Sequence, residues 1–410
     1  MLATDFNALA LRAGQVFTPT SPINAEDLFA GRTDQIRQIV DVINQQGQHA
    51  ILYGERGVGK TSLANILSTK LIGHGRPILA PRINCDVNDT FESVWRKVID
   101  QAQLTRSTTG IGFISSSTSA SLGSTEIFGS SPTPDSVRRG LAMLSQSFLV
   151  VVVIDEFDRL SHEPRRLFAD TVKTLSDHTV AATIVMVGVA DSVESLLVEH
   201  LSVQRALAQI RMPRMSRNEL EVLLDAGAAK LGMNFSAKAK QRIVKLAQGL
   251  PHYAHLLALH AVRAALDNQS LTVSAEAVSQ ALEKALRGTQ QSTLSSYETA
   301  IRSARKDNLF AEVLLACALS ETNELGQFAA QDVRKQLNTL TGKHYEIPSF
   351  AQHLKDFCDQ KRGPVLKKEG IPRLYRYKFI DPLMQPYVVM QGIKSEKLNM
   401  SALEATYGEL

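Results

Sequence analysis

A glycine-rich stretch at residues 54–62, GERGVGKTS, follows an apolar run and leads into a helical pattern. It fits the spacing G-x-x-x-x-G-K-[S/T], with Gly54, Gly59, Lys60 and Thr61 at the fixed positions. Glycines let backbone N–H groups wrap a phosphate chain, and the start of the following helix adds partial positive charge. The stretch therefore predicts a phosphate-binding loop, and the alternative is a glycine-rich turn with a chance lysine.

Two residues of this loop have a specific chemistry toward ATP. Lys60 would neutralise the β and γ phosphates, and the Thr61 hydroxyl would be a ligand of Mg²⁺. The backbone of the whole loop would line the phosphates, so all of its residues are candidate nucleotide contacts: Gly54, Glu55, Arg56, Gly57, Val58, Gly59, Lys60, Thr61 and Ser62.

Two carboxylates, Asp155 and Glu156, end the most apolar run of the chain in VVVVIDEFDRL. An unpaired buried charge is costly, so acids at the end of a buried strand need a reason. Beside a phosphate-binding loop, the first acid can hold Mg²⁺ through water and the second can deprotonate the attacking water. We assign Asp155 to Mg²⁺ and Glu156 to the general base, with an ordinary strand end as the alternative. Asp158 is interpreted as a helix cap.

The elements around these motifs predict an α/β fold. Between about 21 and 213, short β-rich runs alternate with helical ones, as in a parallel sheet covered by helices. The predicted strands are HAILYG, PILAPRINC, FLVVVVID and ATIVMVGV. Most are nearly continuous in apolar residues, which is typical of strands buried on both faces.

The rest of the chain is predicted to be mostly helical, and Ser216 and Glu219 have the spacing of a capping box at a helix start. A serine-, threonine- and glycine-rich insertion at 105–136 is interpreted as a mobile surface loop or as a hairpin that touches DNA or a neighbouring subunit. The predicted domains are an N-terminal extension at 1–20, the core at 21–213, a helical lid at 214–290, a winged helix-turn-helix domain at 291–395 and a tail at 396–410.

Composition excludes several classes of protein. Hydrophobic residues make up 44% and charged residues 21% of the 410 residues, as in ordinary globular domains. The longest apolar run, FLVVVVI, falls short of the ~20 residues of a membrane helix, so no membrane association is expected. The N-terminus lacks the pattern of an export signal, and the three separated cysteines indicate neither a disulfide framework nor a zinc site. We expect a cytoplasmic protein.

With these motifs the chain resembles the AAA+ ATPases, in particular the branch of the origin recognition complex ATPases and archaeal replication initiators. The resemblance extends over about residues 25–390, through the FAGR box at 29–32, both ATP motifs, the helical lid and the winged helix. The chain also resembles bacterial ATPases of this branch that act outside chromosome replication, and it is related to signal-transducing ATPases.

The resemblance implies further nucleotide contacts. Phe29, Gly31 and Arg32 match the box that borders the adenine, although a helix-start packing motif is the alternative. Asp191 follows the strand IVMVGV where these ATPases carry a polar sensor of the γ-phosphate. The branch usually has asparagine there, and an acid would repel phosphate unless a cation intervenes, so a helix N-cap is the alternative for Asp191.

Two more roles follow from the same resemblance. Arg205 lies about where these families place the arginine that reaches the ATP of a neighbouring subunit, with Arg211 and Arg214 as competitors. His252 in GLPHYAHLL stands where the lid usually carries a second sensor arginine, and a proline-started core helix is the alternative. A histidine supplies a full charge only below its pKa near 6.5, which favours tight holding of nucleotide and slow turnover.

The C-terminal region carries a concentration of positive charge. Between residues 361 and 378 there are seven lysines or arginines against one acid. In RLYRYKFI the aromatic residues share one face of a predicted hairpin strand, so we expect the cations on the other face to point outward. The candidate DNA contacts are Lys355, Lys367, Lys368, Arg373, Arg376 and Lys378.

The candidate reading helix SFAQHLKDFCDQ also carries acids, which favours backbone gripping over base readout. The alternatives are a solvated hairpin and a hairpin that docks a protein. Together these features predict a slow, ATP-controlled switch that forms a homo-oligomer or hetero-oligomer through its ATP sites and binds duplex DNA. The alternative is an ATP-gated signalling or scaffold subunit of a defence or mobile-element system with a protein partner. A protein-remodelling motor would need an aromatic pore loop, and none is obvious in the sequence.

Overall fold

The computed structural model describes residues 5–20, 32–70, 77–108, 124–190, 203, 205–288, 291–304, 308–323, 325–371 and 374–400. The chain divides into two compact units. The α/β unit comprises residues 22–55 and 59–213, and the helical unit comprises residues 1–21, 56–58 and 214–410.

The elements follow one another along the chain in the predicted α/β and then helical order. The helices are α1 (Phe6–Val16), α2 (Thr33–Ile43), α3 (Lys60–Lys70), α4 (Phe91–Thr108), α5 (Ser124–Phe128), α6 (Pro134–Leu144), α7 (His162–Asp177), α8 (Arg217–Leu231), α9 (Ala237–Ala247), α10 (Pro251–Asp267), α11 (Ala275–Arg287), α12 (Gln291–Ile301), α13 (Phe310–Leu319), α14 (Ala330–Thr341), α15 (Ile347–Asp356) and α16 (Met384–Lys394). The strands are β1 (His49–Gly54), β2 (Ile78–Leu79), β3 (Arg82–Asn84), β4 (Leu149–Asp155), β5 (Ala182–Val189), β6 (Leu207–Arg211), β7 (Asn234–Phe235), β8 (Thr272–Val273), β9 (Phe328–Ala329), β10 (Leu366–Glu369) and β11 (Arg376–Phe379).

A parallel sheet forms the centre of the α/β unit, in the order β2-β4-β5-β1-β6, with β3 also paired to β4. The predicted strands HAILYG and ATIVMVGV agree with β1 and β5 residue for residue. PILAPRINC forms two short strands, because Pro81 between them has no N–H for a sheet hydrogen bond. All of these strands run in one direction, so the ends of β1, β4 and β5 lie at the same edge of the sheet.

An aromatic cluster fills the core on one face of this sheet. Trp95 is fully buried, and its ring lies 5.3 Å from that of Phe128 and 5.7 Å from that of Phe168. Phe128 belongs to α5, inside the predicted insertion at 105–136. The described end of that segment, residues 124–136, is therefore partly helical and contributes to the core, so it differs from the expected surface loop there.

The N-terminal helix α1 is part of the helical unit, where it packs on α8 and α10. Phe17, directly after α1, is fully buried, and its ring meets those of Phe235 and His255 edge-on. A Cβ added to Gly227 in α8 would lie 2.4 Å from the Phe17 ring, so this glycine makes room for it. The capping box predicted for α8 is confirmed, because Ser216 and Glu219 each bond the other's backbone N–H.

In the same unit, the lid helices contact the C-terminal region directly. The Tyr253 hydroxyl of α10 donates to the Leu383 carbonyl at 2.6 Å. The side-chain amides of Gln248 and Gln385 both donate to the Ala318 carbonyl, at 3.1 and 3.0 Å. The C-terminal region itself has the order helix, strand, two helices and hairpin, with a small antiparallel sheet β10-β11-β9.

Among the described residues, no helix is both long enough and apolar enough to cross a membrane.

Candidate functional site

The glycine loop lies at the edge of the sheet between β1 and α3, as predicted. At Gly54, φ is 153° and an added Cβ would stand 2.4 Å from the Met212 carbonyl oxygen. At Gly59, directly before α3, φ is 95°, a conformation that side chains other than hydrogen rarely adopt. Both positions require glycine, and they leave the loop backbone uncovered for phosphate oxygens.

Lys60 begins α3 and is 7% exposed. Its ammonium group donates to the carbonyls of Gly54 and Glu55, at 2.9 and 2.7 Å. Burial lowers the pKa of Lys60 to about 8, and the carboxylates of Asp158, Asp155 and Glu55 oppose that shift. The cation is thus held at the loop by carbonyl oxygens, in a place where phosphate oxygens would be stronger partners.

Asp155 is the last residue of β4 and its side chain is only 4% exposed. Its Oδ1 accepts a hydrogen bond from the Glu156 backbone N–H at 2.8 Å. Glu156 itself has φ 55° and ψ 35°, the left-handed region, which is unusual for a residue with a side chain. Such backbone strain is found most often at functional sites.

The Glu156 carboxylate points to a different environment from that of Asp155. Its side chain is 47% exposed and pairs with Arg159 at 3.0 Å. One acid is therefore buried and fixed, as a metal-holding group requires, and the next is accessible to water, as a general base requires. This difference fits the roles that the sequence predicts for them.

Asp158 has a role that the sequence did not reveal. It was interpreted as a helix cap, but its Oδ1 accepts from the Val189 backbone N–H at 2.7 Å. Val189 ends β5, the strand between β1 and β4. Asp158 thereby fixes the end of the neighbouring strand near Lys60. The DEFD spacing was a visible signal, but the partner lies 31 residues away.

Of the predicted adenine box, only Arg32 lies within the described residues; Phe29 and Gly31 do not, and neither does Asp191. Arg32 is 3% exposed and caps the start of α2 in a left-handed conformation. Its guanidinium donates to the Pro213 carbonyl at 2.6 Å. This contact is the helix-start packing that was the alternative, and the adenine contact stays a prediction.

Arg205 is exposed and precedes β6. β6 begins beside His49, at the start of β1, whereas the glycine loop follows the end of β1. Six residues of β1 separate those two edges, roughly 20 Å of strand. Arg205 is thus remote from the loop of its own chain, as an arginine for a neighbouring subunit would be. Arg211 lies at the loop edge instead, and Arg214 donates to the Gln248 carbonyl at 3.3 Å.

His252 starts α10 and is half-buried. Its Nδ1 lies 2.7 Å from the Pro19 carbonyl oxygen, so Nδ1 carries the proton and donates. Burial lowers the pKa of His252, and the bond to Pro19 opposes that shift only in part. In this neutral form Nε2 is an acceptor, which makes His252 a poor substitute for a sensor arginine.

The predicted basic hairpin is present as β10 and β11, and Lys355, Lys367, Lys368 and Arg376 are exposed. Lys367 pairs with Glu369 at 2.7 Å, and the Lys368 ammonium lies 3.4 Å from the centre of the Tyr375 ring. Arg373 lies outside the described residues.

The prediction that every strand cation points outward is wrong for Lys378. Its side chain is 10% exposed and its ammonium lies 3.6 Å from Glu369. Burial beside a carboxylate removes it from the set of DNA contacts. Arg362 is likewise engaged internally, since it donates to the carbonyls of Ala300 and Arg302 at 2.8 Å each.

These residues fit a magnesium nucleotide. The glycine loop offers a backbone cradle, Lys60 offers a cation, and Thr61 lies in the first turn of α3. Among the described residues, no three histidine, cysteine or acidic side chains form a metal site of their own. Mg²⁺ at this edge would therefore take ligands from Thr61 and the phosphates, with Asp155 acting through water.

A parallel sheet with a glycine loop, a buried lysine and strand-end acids at one edge defines a nucleotide-binding ATPase domain. Residues 28–186 match the family described as AAA ATPase domain, and the chain accordingly carries such a domain. No curated protein sequence matches the chain.

Solved structures share this fold. The Walker-type ATPase of Pyrococcus abyssi is 16% identical over 91% of this chain and 99% of its own, with a TM-score of 0.54. The Aeropyrum pernix ORC2 protein, in ADPNP and ADP complexes, is 15% identical over 93% and 98%, with a TM-score of 0.49. Another similar structure is Cdc6p of Pyrobaculum aerophilum, 17% identical over 94% and 99%, with a TM-score of 0.46. The resemblance to AAA+ ATPases that the sequence predicts is confirmed.

Raising the pH above 8 should weaken ATP binding. The pKa of Lys60 is about 8, and phosphates favour its charged form, so the complex retains a proton that the free site loses. The dissociation constant should change little between pH 7 and 8 and then rise by up to roughly tenfold per pH unit. Calorimetry at pH 7, 8 and 9, with circular dichroism to verify the fold, measures this. A constant affinity from pH 7 to 9 would contradict it.

Proposed function

We propose that this protein is a slow, ATP-controlled switch that assembles through its ATP sites and binds duplex DNA through its C-terminal hairpin. The observation that carries the proposal is the meeting of Lys60, Asp155 and the glycine loop at one edge of the parallel sheet. When bound, Mg²⁺ would neutralise charge on the β and γ phosphates.

In this proposal the chain's own residues divide the work of hydrolysis. Lys60 holds the phosphates, Asp155 fixes the metal's water shell and Glu156 takes a proton from the attacking water. Arg205 reaches the site of a neighbouring subunit, which would be a second copy or a related chain. Turnover is slow because neutral His252 supplies no positive charge and because hydrolysis waits for that neighbour.

The switch rests on the helical unit. Tyr253, Gln248 and Gln385 tie the lid helices to the C-terminal region by hydrogen bonds. A change at the start of α10 is therefore expected to move the C-terminal region with it, which supports a nucleotide signal that reaches the hairpin.

The order of elements in residues 310–379 supports a winged helix, with α15 as the helix that approaches DNA and the β10–β11 hairpin as the wing. The cations that stay exposed on the hairpin, Lys367, Lys368 and Arg376, suit phosphate contacts.

The second candidate function, an ATP-gated signalling or scaffold subunit, has its own support. Ile371, Leu374 and Ile380 on the same hairpin are 64%, 71% and 52% exposed. Apolar side chains in such positions suit a protein partner better than a phosphate backbone.

Removing the charge of Lys367, Lys368 and Arg376 by glutamine substitution should distinguish the two functions. If the hairpin grips DNA, affinity for a duplex falls and the slope of log K against log salt decreases by about 1 for each lost phosphate contact. The control variant replaces the exposed residues Lys173, Lys335 and Lys394 in the same way. Equal binding by both variants at every salt concentration would exclude the DNA role and favour the protein partner.

A further inference from the structure

Arg82 is an arginine inside the candidate ATP site to which the sequence gave no role. It belongs to β3, which pairs with β4 so that Asn84 lies beside Asp155. Its Nη2 donates to Asp155 Oδ2 at 2.9 Å and to Asn84 Oδ1 at 3.2 Å. Its Nη1 donates to Asn65 Oδ1 on α3, the helix that begins at Lys60.

With Arg82 in place, both oxygens of Asp155 have a partner. Oδ1 accepts from the Glu156 backbone and Oδ2 accepts from Arg82. The Asp155 side chain is 4% exposed, whereas that of Arg82 is 26% exposed. A carboxylate so buried is stable only with a counter-charge, and the guanidinium provides one before any nucleotide arrives.

We propose that Arg82 is a resident counter-ion of Asp155 that competes with Mg²⁺ for it and lets ATP bind without the metal. This inference rests on the proposed ATP site. It assigns Arg82 as a positioning residue, since it acts through Asp155.

Coulomb's law gives the reason. Without a counter-ion, Asp155 would repel the phosphates that Lys60 attracts, and Mg²⁺ would be needed to overcome that repulsion. An arginine keeps its charge at every physiological pH, so this compensation is permanent.

The pair is also suited to exchange. The Nε–H of Arg82 is buried and has no acceptor within the described part of the chain. A buried donor without a partner makes the present arrangement less stable than a fully satisfied one. Arg82 can therefore leave Asp155 more easily when Mg²⁺ and phosphate oxygens arrive.

The test compares ATP affinity with EDTA and with Mg²⁺, by calorimetry on the full chain. Arg82→Gln should weaken binding in EDTA by roughly tenfold or more and change binding with Mg²⁺ much less, so the Mg²⁺ effect grows by about that factor. Arg96→Gln is the matched control, because Arg96 is exposed on α4 and pairs with Glu92 at 2.6 Å. It should leave both affinities unchanged.

The Asp155→Asn background separates a role through Asp155 from a direct contact with phosphate. There, Arg82→Gln should no longer alter the Mg²⁺ effect; an equal change in both backgrounds would overturn the inference, as would an unchanged Mg²⁺ effect in the wild-type background. Arg82→Lys, which keeps the charge, should stay within about threefold of wild type. If Arg82→Gln does not fold, a tenfold larger Mg²⁺ effect in Arg82→Lys would overturn the inference. A wild-type chain that binds no ATP in either condition would refute the proposed ATP site instead.

Discussion

Replacing Lys60 by alanine should abolish ATP binding, lowering the affinity by roughly 100-fold or more. The ammonium group is buried at the loop, and its only printed partners in the described chain are the carbonyls of Gly54 and Glu55. Phosphate oxygens are charged acceptors, so a bound nucleotide would gain far more from this cation than the carbonyls do. Fluorescent-nucleotide titration of Lys60→Ala measures the loss.

The control for this variant is Lys173→Ala, an exposed lysine on α7 of the same unit. It should bind ATP as the wild type does. Circular dichroism should show both variants folded, because alanine at position 60 removes a buried charge and leaves only two carbonyls to be hydrated. Unaltered ATP binding by a folded Lys60→Ala variant would refute the phosphate-binding loop.

Changing Glu156 to glutamine should stop hydrolysis while leaving ATP binding within about threefold of wild type. A lost general base lowers the rate by roughly 10²–10⁴-fold. Glutamine has nearly the same shape, so the left-handed backbone at this position and the bond from its N–H to Asp155 are retained. Single-turnover release of phosphate separates this chemical step from nucleotide binding.

Glu163→Gln provides the comparison, because Glu163 is an exposed acid on α7 that pairs with Arg166 at 3.2 Å. Its substitution should leave the rate of phosphate release unchanged. Normal turnover by Glu156→Gln would show that another group accepts the proton, and Asp158 would then be the next acid to test because it lies near Lys60.

Local patterns were sufficient to predict the nucleotide site. The glycine loop, the strand before it and the acids of VVVVIDEF are each contiguous in sequence, and β1 and β5 were predicted to the residue. Their chemistry depends on spacing along one strand or one turn, which a sequence displays directly.

Contacts between distant segments could not be predicted in the same way. The pair of Arg82 and Asp155 joins positions 73 residues apart, and nothing near Arg82 in sequence indicates an acid. β6 was missed because its alternating residues form an edge strand rather than a continuous apolar run. The period of two in RLYRYKFI correctly buried Tyr377 and Phe379, but it could not show that Lys378 would be enclosed beside Glu369.

The contacts of Phe17 and Pro19 have a consequence for the history of this gene. Phe17 fills the space that Gly227 leaves, and the Pro19 carbonyl keeps a proton on one nitrogen of His252. If recombination exchanged the lid for that of a relative, the first 20 residues would have to be inherited together with it, although the entire ATPase core lies between them. A glycine at position 227 and an aromatic residue at position 17 should therefore change as a pair during evolution.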